Sequence, residues 1–442
     1  MPDTPIGVTR LSALPASERR RRHTRASAVI FGEEMRAYAR QILDAVARDG
    51  DTAVARYTRE WDHVALSPEQ FAVRDDEFET ARAAIDPVVR GALESMIARV
   101  RRFNEWLRPQ PGAATELEPG ISVGVRYSSV RSAGVYVPSG KGSFPSSFVM
   151  LTVPAVVAGV ETITAVVPPR PDGSVDPAVL VAADVIGVRR IFRCNGPAGI
   201  AAMAIGTATI PRAAVVVGPG NPVIAAVQMA AGAYGARPIV LLGPSEAVIL
   251  ADESADASAL ALDLLNEAEH GGDSAATLLV TDEALAGRVA VAVHRWAERL
   301  PEPRRRFALQ AIGEWGGIFV ADLDEAIAWI NDYAPEHVQL AVRDPDGVSA
   351  RIHHAGEILL GQCTPFAAAN YAIGVPHALP TSGWAAAASG VSVLAFMKTT
   401  FVAGLTAAGL RTVAPVAAAL GRHEGFPAHV QAITERERKG GA

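Results

Sequence analysis

Lysine is almost missing from this chain: Lys141, Lys398 and Lys439 are all it has among 442 residues, and arginine carries the rest of the positive charge. The formal net charge is −6, so no general electrostatic pull toward nucleic acid is expected. The one basic run, Arg19 to Arg22, is short and reads as a solvated face. Cysteine is scarce as well. Cys194 and Cys363 cannot make a disulfide framework, and the pair suits a reducing cytoplasm. Long apolar runs are also lacking: 149–167 and 213–232 are interrupted by Pro154, Glu161, Pro219 and Asn221, which argues against a membrane span. The N-terminus shows neither the apolar core nor the cleavage site of a secretory signal. Several chemical fingerprints are missing too. There is no G-x-G-x-x-G after a strand, no P-loop, no G-x-S-x-G elbow and no H-E-x-x-H. The nearest miss, His423 to His429, has the wrong spacing and contains the helix-breaking Pro427.

What is present is an ordinary enzyme-like balance, 49% apolar and 20% charged residues, in a chain long enough for two or three cores. Residues up to about 30 give no periodic apolar face. Helical periodicity follows over 34–61 and 75–106, where Val89, Leu93, Met96 and Val100 recur every three to four residues. From about Ile121 the texture changes. Valine- and isoleucine-rich runs at 134–137, 163–167, 190–192, 214–217 and 238–242 alternate with alanine-rich stretches. Apolar runs that do not alternate with polar residues predict parallel strands buried on both faces. Residues 136–244 therefore read as one doubly wound unit, with further α/β elements over 245–385 and a helical ending after Gly383.

Five stretches carry candidate chemistry. Glu267 and His270, three apart at the end of an apolar helical run, make half of a divalent-metal site. They are equally the polar end of a helix, with His270 favoured by the dipole and Gly271 as the stop. Gly218-Pro219-Gly220-Asn221 and Pro138-Ser139-Gly140-Lys141-Gly142 follow strands and could offer backbone N–H groups to a phosphate, or be plain turns. In Tyr333-Ala334-Pro335-Glu336-His337 the proline biases Ala334 toward an extended conformation and places Glu336 and His337 at a strand or loop edge. An adjacent Glu and His can serve two proton transfers if both reach one cleft. Asn370 to His377 is a loop with a carboxamide and an imidazole.

In order along the chain, these stretches resemble histidinol dehydrogenase. The markers are Gly134-Val135-Tyr136-Val137-Pro138, Pro145-Ser146-Ser147, Gly218-Pro219-Gly220-Asn221, Gly243-Pro244-Ser245-Glu246, Ala268-Glu269-His270-Gly271, Pro335-Glu336-His337 and His377-Ala378-Leu379-Pro380-Thr381. The resemblance covers nearly the whole chain. It implies a cytoplasmic, homodimeric, NAD- and zinc-dependent oxidoreductase of histidine biosynthesis. The reaction would be a four-electron oxidation of a primary alcohol to a carboxylate through an aldehyde, L-histidinol to L-histidine.

The implied fold is α/β, with two incomplete Rossmann-like doubly wound domains and small terminal helical segments. Its parts are an arm at 1–33, a catalytic and metal-carrying domain at 34–135 plus 245–390, a cofactor-binding domain at 136–244, and a C-terminal helical segment at 391–442 exchanged between subunits. On the same basis His337 takes the alcohol proton and Glu336 activates the water that attacks the aldehyde. Tyr136 and Asn221 would contact the cofactor. Ser146, Ser245, His377 and Glu424 would line the substrate pocket. Glu267, His270, Asn370 and His429 would hold zinc, with Glu424 and His429 arriving from the second subunit.

The chain also departs from the family. Glutamate stands at position 267 where glutamine is usual, and asparagine at 370 where aspartate is usual, so one carboxylate and one carboxamide are kept. Ala198 replaces a usual glutamine near the cofactor, Ser139 a glycine and Asn104 a histidine; Val375 and Pro376 also differ. These changes leave room for the same chemistry on another small polar alcohol, as in the related sulfopropanediol dehydrogenases. A catalytically silent binding paralogue is the third reading.

Overall fold

Apolar strands need cover on both faces, and this chain supplies it with helices on either side of two parallel sheets. The computed structural model describes residues 6–24, 32–139 and 142–439, with the side chains of 240–242 excepted. The described strands are β1 (Val8–Arg10), β2 (Gly112–Glu118), β3 (Ile121–Ser129), β4 (Ser132–Tyr136), β5 (Thr162–Val167), β6 (Ile191–Arg193) and β7 (Val215–Gly220). They continue with β8 (Arg237–Leu242), β9 (Glu246–Ala251), β10 (Ala275–Val280), β11 (Gly317–Val320), β12 (His337–Ala341), β13 (Glu357–Leu360) and β14 (Met397–Leu405). The fold is mixed α/β, as the texture of the sequence predicts.

A five-stranded sheet has the order β6-β5-β4-β7-β8, and a six-stranded sheet the order β1-β11-β10-β9-β12-β13. Every pairing in both is parallel. With β1 set aside as an added edge of the larger sheet and the other strands numbered in chain order, both read third, second, first, fourth, fifth. This is the doubly wound pattern, with winding reversed between β4 and β7 and again between β9 and β12. In the six-stranded sheet, alternate side chains go to opposite faces. Ala247, Ile249, Leu278 and Val280 join a core with helices Ala257–Ala268 and Glu283–Ala297. Val248, Leu250, Leu279 and Val338 join another with helix Leu323–Tyr333. Burial on both faces is why these strands show no period of two.

Helices begin where the chain leaves a strand, and short polar side chains start them. Asp176, Asn195, Asn221, Asp256, Asp282 and Asp322 each accept a hydrogen bond from a first-turn N–H, a cap contributing about 1 kcal/mol. Helices Glu33–Asp49 and Asp51–Trp61, expected to belong with the catalytic domain, pack against helices Gly196–Ile205 and Pro222–Ala231 of the five-stranded sheet. The expected boundary at 135/136 falls inside β4. The arm expected at 1–33 contributes β1 and helix Ala16–His23.

Among the described residues, 107–130 and 397–439 form a second compact unit. There β2, β3 and β14 form an antiparallel sheet, followed by helices Ala407–His423 and Pro427–Arg438. The C-terminal segment was expected to be helical throughout, and β14 corrects that. Its run Thr399-Thr400-Phe401-Val402 is β-branched and aromatic, and it pairs over nine residues with β3.

Candidate active site at the amino edge of the six-stranded sheet

The connection from β8 to β9 is three residues, Gly243 to Ser245. Four peptide steps span at most about 14 Å. The carboxyl end of the five-stranded sheet is therefore delivered directly to the amino end of β9, which lies at the reversal of the six-stranded sheet. Most of the candidate residues collect around this junction.

His337 is the first residue of β12, and Glu336 precedes it. Both are buried, at 3% and 8% exposure. Oε2 of Glu336 accepts the Glu246 N–H at 3.0 Å, and its Oε1 is 3.6 Å from His337 Nε2. On the other side of the ring, His337 Nδ1 is 2.5 Å from Glu357 Oε1. Burial works to discharge this imidazole, but the two carboxylates outweigh it and hold His337 well above the ordinary imidazole range. Close approach of β13 depends on Gly356, where a Cβ would lie 2.4 Å from the Glu336 carbonyl oxygen. Ala334 is not extended as the following proline predicts. It has φ 48° and ψ 61°, and its N–H bonds to Ile330 O, ending helix Leu323–Tyr333. The helix-ending turn overrides the bias before proline.

Beside this pair lies the second group. Glu267, 1% exposed, sits near the end of its helix. Oε1 accepts from Asn266 Nδ2 at 2.7 Å and from Asn370 Nδ2 at 2.9 Å. Oε2 is buried, has no hydrogen-bond partner, and lies 3.3 Å from His270 Nδ1. Burial pushes the Glu267 carboxyl up, yet His270, His337 and the two amides bring it below its usual value. The helix stops at Ala268, so His270 occupies the turn beyond it rather than the helix itself. Ser245 Oγ is 3.1 Å from the same Nδ1. His377 is half-buried, with its Nδ1 enclosed; desolvation first, then the charge of His337, lowers it to about 4, so it is neutral at pH 7.

Thus Ser245, Glu267, His270, Asn370, Glu336, His337 and His377 form one neighbourhood. Tyr136 and Ser146 lie at the carboxyl edge of the five-stranded sheet: Tyr136 ends β4 and is buried, and Ser146 opens helix Pro145–Ala158. Asn221 follows β7, and its Oδ1 takes the N–H groups of Val223 and Ile224. Two of the N–H groups that the turn could offer an anion are thereby used. In the other proposed anion turn, Gly140 and Lys141 fall outside the described residues. Glu424 and His429 are exposed on the second unit, where His429 packs against Phe426 with ring centroids 5.2 Å apart. Ala198 is fully buried in the core, and Asn104 accepts the Val393 N–H, so both are structural in this chain.

A cation at Glu267 and His270 is compatible with the donors present. A buried carboxylate oxygen without a partner, an imidazole and a carboxamide suit a borderline ion such as zinc. Among the described residues no three His, Cys, Asp or Glu side chains gather to hold a metal ion, so a cation there would need Asn370 as its third donor. Sequence reading missed Glu357, Glu246 and Asp263. Asp263 is raised to about 6 by burial, against a hydrogen bond from Gln339 and with Glu267 adding to the shift. For Glu246 and Glu357 the missed signal was positional: residues that open neighbouring parallel strands share an edge.

The family model for histidinol dehydrogenase matches residues 26–437. The chain belongs to the histidinol dehydrogenase family. It is 39% identical to histidinol dehydrogenase of Synechocystis over 412 residues, 91% of this chain and 92% of that one. It is 37% identical to a histidinol dehydrogenase homolog of Colwellia psychrerythraea, covering 97% and 96% of the two chains. The crystal structure of histidinol dehydrogenase from Elizabethkingia anophelis superposes with a TM-score of 0.91 at 30% identity, over 99% of this chain and 98% of that one. Membership places the chain among oxidoreductases. Among the described residues no helix is long and apolar enough to cross a membrane.

Proposed function

We propose that the protein is a cytoplasmic, NAD- and zinc-dependent dehydrogenase that oxidises L-histidinol to L-histidine through the aldehyde. The observation that carries this reading is the buried Glu336–His337 pair set beside a buried carboxylate oxygen of Glu267 that has no hydrogen-bond partner. When bound, zinc would fix the substrate's polar groups and NAD would accept the hydride of each oxidation. Glu267, His270 and Asn370 would hold the metal, with His429 of a second copy as the fourth ligand. Tyr136 and Asn221 would meet the dinucleotide at the edge where helix N-termini favour pyrophosphate.

His337 Nε2 receives the alcohol proton. Glu336, fixed by the Glu246 N–H, then draws a proton from the water that adds to the aldehyde. His377, being neutral, can accept or donate a hydrogen bond without adding charge. Ser146 and Ser245 supply hydroxyls, and Glu424 of the second copy would face the imidazole of the substrate. Homodimerisation is supported by the apolar side chains that the second unit exposes, namely Leu117, Phe401, Val416, Leu420 and Phe426.

NADH formation with histidinol, compared with a panel of small primary alcohols, tests the assignment. Faster turnover of another alcohol would favour the second reading, which the Glu267/Asn370 exchange and the structural use of Asn104 and Ala198 support. No turnover of any alcohol by zinc-loaded protein would leave only a binding role.

A further inference from the structure

We propose that Glu357 is the positioning residue that fixes the tautomer of His337, binding the Nδ1 proton so that Nε2 is the nitrogen left for substrate. The proposal rests on the reading of His337 as the base. His337 and Glu357 are register partners across β12 and β13, so their side chains leave the sheet on the same face from two backbone-fixed positions. His337 Nδ1 and Glu357 Oε1 are 2.5 Å apart, and both side chains are more than nine-tenths buried, at 4% and 8% exposure. The other oxygen of Glu357 is buried and has no hydrogen-bond partner. The ring also packs against Phe366 in an edge-on arrangement, centroids 5.9 Å apart.

The two ring nitrogens thus face different carboxylates, Glu357 at Nδ1 and Glu336 at Nε2. Neutral imidazole carries one proton, and whichever nitrogen holds it cannot accept another. With Glu357 in place the proton stays on Nδ1 and the lone pair is on Nε2. Without it, Glu336 attracts the proton to Nε2, and the ring has no base to offer at that side. The charged and titratable groups acting on the imidazole are Glu336 on its own strand side, Glu357 on β13, Glu267 on the neighbouring helix and His377 on the loop. Of these, Glu357 is bonded to Nδ1.

The test uses purified full-length protein with zinc and NAD, comparing Glu357→Ala, Glu357→Gln and His337→Asn. Glu357→Ala should lower kcat for alcohol oxidation roughly 10- to 100-fold, with KM within about twofold, and move the acid limb of kcat/KM to lower pH. Glu357→Gln keeps an oxygen at Nδ1 and should recover most of the plateau kcat while retaining the shifted limb. Ring 15N shifts, assigned by the signal lost in His337→Asn and recorded above the titration of His337, should show the Nδ1–H tautomer in the parent. They should show a mixed population in Glu357→Ala.

An unchanged limb and tautomer in both Glu357 variants, with His337→Asn inactive, would overturn the role of Glu357 and leave the base assignment standing. Full alcohol oxidation by His337→Asn would overturn the base assignment itself. If Glu357→Ala does not fold, the limb and the tautomer of Glu357→Gln decide: an unshifted limb with the parent tautomer overturns the proposal.

Discussion

The five-stranded and six-stranded sheets are wound in the same order, yet their candidate residues gather at opposite ends of the strands. In the smaller sheet Tyr136, Ser146 and Asn221 lie at the carboxyl edge, where helices begin. In the larger one Ser245, Glu267, His270, Glu336 and His337 lie at the amino edge, where helices Ala257–Ala268 and Leu323–Tyr333 end. The difference is electrostatic. Helix N-termini carry partial positive charge and suit a pyrophosphate, whereas C-termini carry partial negative charge and suit a cation and a protonated imidazole. One topology used from both ends would provide the two kinds of site proposed, and the link of three residues between β8 and β9 joins the two edges.

The most damaging change to the amino-edge half of this comparison is at the base. His337→Asn should reduce alcohol oxidation by about 10²–10⁴-fold, while Glu336→Gln should slow aldehyde oxidation more than alcohol oxidation. Rates measured separately with histidinol and its aldehyde check this, and equal losses in both steps for both variants would contradict the division of roles. Because two carboxylates raise His337, and because it must be unprotonated to act, activity should climb as pH rises through a value above the ordinary imidazole pKa of about 6.5. A limb below that value would show that the carboxylates do not govern it.

The metal half comes next. Glu267→Gln alone removes the single carboxylate among the three donors of this unit and should lower zinc retention roughly 10- to 100-fold. Glu267→Gln with Asn370→Asp restores a carboxylate at the other position and should recover it. Zinc content after dialysis is the readout. Equal retention by all three proteins would mean that ligand charge does not matter here.

How much of this was legible depended on burial. The strands at 134–242 were readable because both faces of each are covered and the apolar runs are continuous, and the observed strand ends fall within three residues of those runs. All seven residues of β2 are exposed, and β3 pairs with the distant β14, Ser129 with Met397, so neither periodicity nor neighbouring sequence marks them. Glu267 and His270 could be proposed from their spacing and Asn370 from resemblance, and the Asn370–Glu267 hydrogen bond and the Glu267–His270 contact place the three together. Glu357 could not be found this way. Its relation to His337 arises from the register of two strands twenty positions apart, which is a property of the sheet and not of any local motif.

The carboxyl edge can be probed without touching the chemistry. A Cβ at Gly218 would sit 2.3 Å from the Tyr136 carbonyl oxygen and 2.7 Å from its Cβ, both on β4, which pairs with β7. Backbone cannot yield as a flexible side chain can, so Gly218→Ala should force the two strands at the reversal apart at a cost of about 1–3 kcal/mol. The expected result is a lower Tm and a raised KM for NAD, with kcat at saturating NAD changed less than about threefold, since His337 and Glu336 belong to the other sheet. A fall in kcat comparable to that of His337→Asn, with KM for NAD unchanged, would mean that the two edges are not separable and that the division between cofactor and chemistry is misdrawn.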